Sequence, residues 1–454
     1  MRLSFTHSQL AQKLSEFLYS EEWMHRAHIG ASLIDIPSGQ ELFAHNSKQY
    51  FYGGSIQKIA LSLCAINLLP KSFRFETRIE KRGFIDSNGL LEGDLWIIGG
   101  GDPTLCPKDL ELGINELQKT GLKKISGKIY LDTTHFETAR ASRYWNFEDI
   151  ANYYGAGAYG LSFNQNQYHI TFKSGSKEGL PAQVIGLDPP LEDLLIHNEV
   201  TTGPQGSGDQ AFVFGSEYSP LQYYRGSIPL EAETFSIKGA LPDPALLIAT
   251  QLSKAFLPSQ GYEIVREKRA LENRELLFSH FSPFLHELIQ QMNPISDNLI
   301  AEHLFKEIGA GQGHVAAKKI QEHLSSLGIT CHIQDGAGLA KGNLFTPYSF
   351  TKLLRHLRSN SKYNDLINSL ATPGKGTLAS FPPFKQAELK AKTGSARQTL
   401  AIAGYLSTRN NQLDSTSNNQ ELAFSLFFNH CELENKALQS KLYEWLNLAC
   451  GFFS

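Results

Sequence analysis

Three short motifs stand in order along this chain, far apart: Ser55-Ile56-Gln57-Lys58, Ser296-Asp297-Asn298 and Lys392-Thr393-Gly394. If they serve one chemistry, residues from both ends of a 454-residue chain must converge on one pocket, with the intervening stretch looped out of the way. No local pattern constrains the architecture as strongly. Each motif alone is weak. Ser-x-x-Lys recurs at Ser174, Ser349 and Ser359, and Lys119-Thr120-Gly121 repeats the third motif literally.

Local context selects one copy of each. In Ser-x-x-Lys, positions i and i+3 share a helix face, so the amine can reach the hydroxyl. A serine at a helix N-terminus also has an unpaired N–H to offer a developing oxyanion. Ser55 meets both conditions. It follows Gly53-Gly54 and precedes the helical stripe Ile59, Ala60, Leu63 and Ile66, which Pro70 stops. By contrast, Ser174 lies in a Gly/Ser turn, Ser349 inside the first turn after Pro347, and Ser359 at a helix end. Lys119-Thr120-Gly121 closes a helical stripe, where Gly121 is a natural C-terminal cap. Lys392-Thr393-Gly394 ends a predicted strand, where Gly394 lets a substrate backbone approach.

Taken singly, these residues have structural readings: Ser55 and Ser296 as helix caps, Asp297 as a first-turn acid, Lys58 and Lys392 as surface charges. Their joint occurrence points to nucleophilic catalysis. A serine hydroxyl needs a base, and Lys58 serves if burial and a second cation, Lys392, lower its pKa. Thr393 and Ser395 would offer hydroxyls to a substrate carboxylate. The N–H groups of Ser55 and Ser395 would form an oxyanion hole.

Composition excludes other classes. With 42 basic and 45 acidic residues the net charge is -3, which gives no electrostatic case for nucleic acid. No stretch approaches the ~20 apolar residues of a membrane span, and Ile59 to Leu69 reads as a buried helix. The first twenty residues contain no signal-peptide core. That leaves open a cytoplasmic protein or an export segment outside this sequence. The five cysteines are scattered, which argues for structural thiols over disulfides or zinc. His286-Glu287 opens an H-E-x-x-H pattern, but Gln290 breaks it, so no metal or cofactor is expected.

Periodicity outlines the rest. A helix is predicted over His7 to Tyr19, strands over Ile29 to Ile36 and Glu41 to Ala44, and a helix beginning at Ser296 after Pro294. Thr346-Pro347 opens another helix. Ala387 to Lys392, Leu400 to Leu406 and Leu422 to Phe428 read as antiparallel strands, and Lys436 to Leu448 as a closing helix. Between Arg74 and Glu272 the signals are mostly strand and turn. Strands are expected at Asp94 to Ile98, Tyr168 to Phe172, Gln183 to Gly186, Ala211 to Gly215 and Thr234 to Ile237, with a polar loop over Thr201 to Asp209. A chain this long exceeds one core, so this block reads as an inserted, mainly β region.

At these residues the chain resembles the serine-type D-alanyl-D-alanine carboxypeptidases of the penicillin-binding protein superfamily. It is most similar to the low-molecular-mass class C, DacB-like carboxypeptidase/endopeptidases. Leu95-Trp96-Ile97-Ile98-Gly99-Gly100-Gly101-Asp102-Pro103-Thr104-Leu105, Ser296 to Glu302, Asp335-Gly336-Ala337-Gly338-Leu339 and Gly376-Thr377-Leu378 carry that likeness. It departs at Ala337, where the family commonly has serine, and at Gly53-Gly54, which replace a frequent Pro-Ala. The resemblance implies an α/β (α+β) multidomain fold. A penicillin-binding/β-lactamase-like domain, with an antiparallel sheet flanked by helices, would span 1–73 and 273–454, and 74–272 would be the insertion, with room for two nested subdomains.

The function implied is hydrolysis of peptidoglycan stem peptides ending in D-Ala-D-Ala through an acyl-enzyme on Ser55, blocked by β-lactam antibiotics, in the periplasm. Lys58 would take the Ser55 proton and Ser296 would pass one to the leaving amine. Asn298 would hold the substrate amide, and Lys392, Thr393 and Ser395 its carboxylate. Two other readings stay open. A serine β-lactamase is disfavoured because no E-x-x-L-N lies between Ser55 and Ser296. A non-catalytic receptor for peptidoglycan or β-lactams is disfavoured because all three motifs are intact.

Overall fold

The computed structural model describes residues 6–269, 273–408 and 420–453. The chain forms two compact units. The first comprises Met1–Ser72, Leu285–Asp297 and His314–Ser454, and the second comprises Phe73–Phe284 and Asn298–Gly313.

The first unit is built on a five-stranded antiparallel sheet. Its order is Ala387–Ala396, Thr399–Thr408, Glu421–Asn429, His28–Asp35 and Glu41–His45. The inner strands are apolar on both faces because both faces are covered. Leu400, Ile402, Phe424, Leu426, Phe428, Ala31 and Leu33 form one face and pack with helices His7–Phe17 and Asn435–Ala449 through Leu10, Leu14, Leu438, Leu442 and Trp445. The other face meets helix Pro347–Arg358, and here small hydroxyls anchor the helix. Ser32 Oγ pairs with Thr351 Oγ1 at 2.9 Å, and the Ser425 and Tyr405 hydroxyls donate to the Pro347 and Leu354 carbonyls at 2.9 and 2.8 Å. Thr346 caps that helix by accepting from Ser349 N, with Pro347 at its first position.

The second unit holds a six-stranded mixed sheet and two three-stranded sheets. Along the larger one the order is Tyr262–Val265, Ile129–Asp132, Leu90–Ile98, Glu76–Ile85 and Glu275–Phe281, with Lys124–Ile125 pairing beside Leu90–Ile98. Its apolar core includes Leu95, Ile97, Leu117, Ile129 and Leu131 from this sheet and helix Pro107–Lys119, together with Ile248, Leu252 and Phe256 of helix Pro244–Phe256. Lys119 ends the first of these helices, and Gly121 follows with φ of +91°. The second literal Lys-Thr-Gly is therefore a helix terminus, as its spacing predicts.

Two local expectations are corrected. Pro294 does not precede a helix but lies inside the last turn of helix Leu285–Ile295, and the next helix begins at Asn298. Ser296 joins them with φ of +65°, and Asp297 N donates to Met292 O at 2.9 Å. This is the six-to-one bond that closes a helix around a left-handed residue, so Ser296 ends a helix instead of starting one. The strand carrying Lys392 also does not stop at the motif; it continues to Ala396.

Candidate active site

Ser55 lies in the single 3₁₀ turn Gly54–Gln57, which feeds directly into helix Lys58–Leu68. The two glycines before it are required by geometry. Gly54 has φ of +54°, and an added methyl group would stand 3.4 Å from Ser395 N. At Gly53 such a group would be 2.7 Å from the Ile56 side chain. The departure from Pro-Ala thus has a backbone cause: the turn is left-handed where Gly54 stands.

Lys58 is fully buried, and its Nζ donates to Ser55 Oγ at 2.9 Å and to the Ala337 carbonyl at 2.5 Å. Ser55 itself is half-buried, with Oγ 3.3 Å from the same carbonyl. The amine therefore lies within proton-transfer distance of the hydroxyl.

Strand Ala387–Ala396 is an edge of the sheet and runs alongside this turn. A methyl group placed on Gly394 would lie 2.0 Å from Gly53 O and 2.8 Å from Ser55 N. Only glycine allows that approach, which sets the Ser55 and Ser395 amides in one neighbourhood. Lys392 is fully buried and donates to Thr393 O at 2.9 Å. Burial first, and the charge on Lys58 second, hold its pKa well below the ordinary lysine value. Repulsion is mutual, so the pair resists carrying two charges at once. Thr393 is half-buried and Ser395 exposed.

Ser296 is half-buried. Three residues before it, Asn293 Nδ2 donates to Ser62 Oγ at 3.3 Å and to Ser369 Oγ at 2.8 Å. Ser62 stands one turn beyond Lys58, so the end of helix Leu285–Ile295 is anchored beside the serine helix. Among the described residues, the Ser296 hydroxyl makes no hydrogen bond to either lysine. Asn298 opens the segment assigned to the second unit, where its Nδ2 donates to Tyr154 O at 2.7 Å.

One participant escaped the sequence reading. The Ala337 carbonyl accepts from Lys58, whereas the sequence marks that position by the hydroxyl that alanine lacks. Its signal was the glycine spacing of Asp335-Gly336-Ala337-Gly338, which marks an irregular backbone.

Comparison with known proteins agrees with this geometry. The model of the D-Ala-D-Ala carboxypeptidase 3 (S13) family matches residues 10–448. The D-alanyl-D-alanine carboxypeptidase of Actinomadura sp. (strain R39) is 27% identical over 406 residues, 83% of this chain and 74% of that protein. The D-alanyl-D-alanine carboxypeptidase DacB of Haemophilus influenzae is 23% identical over 463 residues, covering 96% and 91% of the two chains. The crystal structure of penicillin binding protein 4 from Haemophilus influenzae matches with a TM-score of 0.77 at 21% identity, over 97% of this chain and 99% of that one. That protein has also been solved with a β-lactam. At this identity the structural likeness speaks for the fold, which is the mixed α/β fold expected. The family match spans nearly the whole sequence, and the chain belongs to the D-Ala-D-Ala carboxypeptidase 3 (S13) family.

Proposed function

We propose that this chain is a serine-type D-Ala-D-Ala carboxypeptidase/endopeptidase that cleaves peptidoglycan peptides through an acyl-enzyme on Ser55, with the first unit as its catalytic domain. The observation that carries this reading is the 2.9 Å contact between Lys58 Nζ and Ser55 Oγ, with Lys392 buried nearby.

Lys58, in its neutral form, takes the Ser55 proton as Oγ attacks the carbonyl of the penultimate D-Ala. The Ser55 and Ser395 N–H groups receive the oxyanion, each donor contributing about 3 kcal/mol. Ser296 passes a proton to the departing D-Ala amine. Lys392, Thr393 and Ser395 bind the terminal carboxylate, and Asn298 is assigned the substrate amide on the motif it shares with the family. Water then cleaves the ester. An extended peptide fits this scheme because the Lys392 strand is an edge, whose outward backbone groups beyond Ala391, itself bonded to Ala371, can pair with it. The proposed substrate class supports a location in the periplasm or an equivalent extracytoplasmic space. Among the described residues no helix is long and apolar enough to cross a membrane.

Release of D-Ala from a peptide ending in D-Ala-D-Ala tests the proposal. The parent chain is expected to release it and Ser55→Ala to lose the activity. A parent chain with no release would favour a receptor. Rapid turnover of a chromogenic cephalosporin without a lasting adduct would favour a β-lactamase.

A further inference from the structure

We infer that Asp335 is a positioning residue: its buried carboxylate fixes the Ala337 carbonyl and thereby aims the Lys58 amine at Ser55. The inference rests on the reading of Ser55 as nucleophile.

A neutral amine has one lone pair and two N–H groups. To accept the Ser55 proton, Lys58 must turn the lone pair toward Oγ, and free rotation about the terminal C–N bond would spread it over other directions. A second acceptor that takes one N–H removes that freedom. Ala337 O fills this role at 2.5 Å from Nζ. A carbonyl does not titrate, so it guides the amine at any working pH.

No helix or strand holds that carbonyl, since residues 333–340 run as an irregular loop. The loop is wound on Asp335, which is 1% exposed. Its Oδ1 accepts from Gly338 N at 2.8 Å, Asn343 Nδ2 at 2.8 Å and Gln57 Nε2 at 3.0 Å. Its Oδ2 accepts from Ala340 N at 2.6 Å. Gln57 is the neighbour of Lys58, and its amide also donates to the Asp335 carbonyl at 2.8 Å, which ties the loop to the serine helix. Gly338, at φ of +88°, lies against Gly54, and the Tyr52 hydroxyl donates to its carbonyl at 2.7 Å. The Gly338 and Ala340 N–H groups and the Asn343 and Gln57 amides all donate to the carboxylate. An asparagine there would set an NH₂ against one of these donors.

The test compares benzylpenicillin acylation of the parent, Asp335→Asn and Asp335→Ala by intact mass over time and drug concentration. Both variants are expected to slow the acylation step at saturating drug, Asp335→Ala by about a hundredfold and Asp335→Asn by less. The half-saturating concentration should stay within about twofold of the parent's, because the lost interaction acts in the transition state. A merely structural role would lower the melting temperature without this split. A folded Asp335→Asn that acylates at the parent's rate overturns the inference and leaves the reading of Ser55 intact. A parent chain without an adduct overturns both. If neither variant folds, Asn343→Ala removes one donor to Asp335 and should slow acylation about fivefold; a parental rate there overturns the inference.

Discussion

Lys58 and Lys392 lie 334 positions apart in the chain, yet each is fully buried and the charge of one depresses the protonation of the other. Two lysines seldom share a dry site. Here Lys58 Nζ lies 2.9 Å from the Ser55 hydroxyl, while burial and the charge on Lys58 together favour the neutral form of Lys392.

Lys58→Met keeps the length and apolar stem of the side chain and removes the proposed base. Hydrolysis of a D-Ala-D-Ala peptide should fall by about 10²- to 10⁴-fold, with thermal stability unchanged or raised. Lys58→Arg should be as inactive, because a guanidinium does not deprotonate. Activity retained in either variant would assign the base elsewhere.

For Lys392 the sign of the pH dependence follows from its depressed pKa. Between the folded value and the ordinary 10.5, the unfolded chain holds a proton that the folded chain lacks. Stability from this group therefore falls as pH drops through that window and is constant below it. Lys392→Met removes the effect. In urea titrations the variant should gain on the parent as pH is lowered from about 10.5 toward neutrality, while losing peptidase activity. A stability difference independent of pH would contradict the burial argument.

Ser296 takes a left-handed backbone, φ +65°, that costs a residue with a Cβ about 1–2 kcal/mol. Ser296→Gly should relieve most of this, offset by the greater freedom of glycine in the unfolded chain. The expected result is a stability equal to the parent's or up to about 1 kcal/mol higher, with D-Ala release cut by at least about tenfold. Unchanged activity would remove Ser296 from the proton path.

In the second unit, His303 is fully buried, its Nε2 2.7 Å from Ser162 Oγ and its Nδ1 2.7 Å from Leu299 O. Burial pulls its pKa from 6.5 down to about 3. The unfolded chain then holds the extra proton between these values, so stability is full above 6.5 and lost as pH falls toward 3, by up to about 5 kcal/mol. Denaturant melts from pH 7 to 4 should show this loss, and His303→Gln should flatten it. An equal slope in the variant would refute the assignment.

Much of the catalytic scaffold was legible because its inner strands are apolar throughout: Leu400 to Leu406 and Leu422 to Phe428 could scarcely read otherwise. Gly121 was legible as a cap for the same reason that Gly394 was not one, namely the helical or strand pattern before it. Pro294 misled, since its usual meaning as a helix opener hid a helix that ends on Ser296. In the second unit, strand Leu195–Gly203 has no in-out alternation, and its end, Thr201-Thr202-Gly203, is polar and runs into Pro204, so it read as loop although Thr202 and Gly203 are buried. Helix Pro244–Phe256 was announced by Asp243-Pro244, a cap and first-turn pair obscured by the strand-rich context. The role of the Ala337 carbonyl was not legible, because the glycines around it mark an irregular backbone without saying which backbone atom faces the lysine.

Mass spectrometry of the chain after benzylpenicillin treatment, followed by peptide mapping, measures the central claim directly. The account predicts one drug-sized adduct per chain, carried by the peptide containing Ser55 and absent from Ser55→Ala. An unmodified parent chain, or an adduct mapped to another residue, would contradict it.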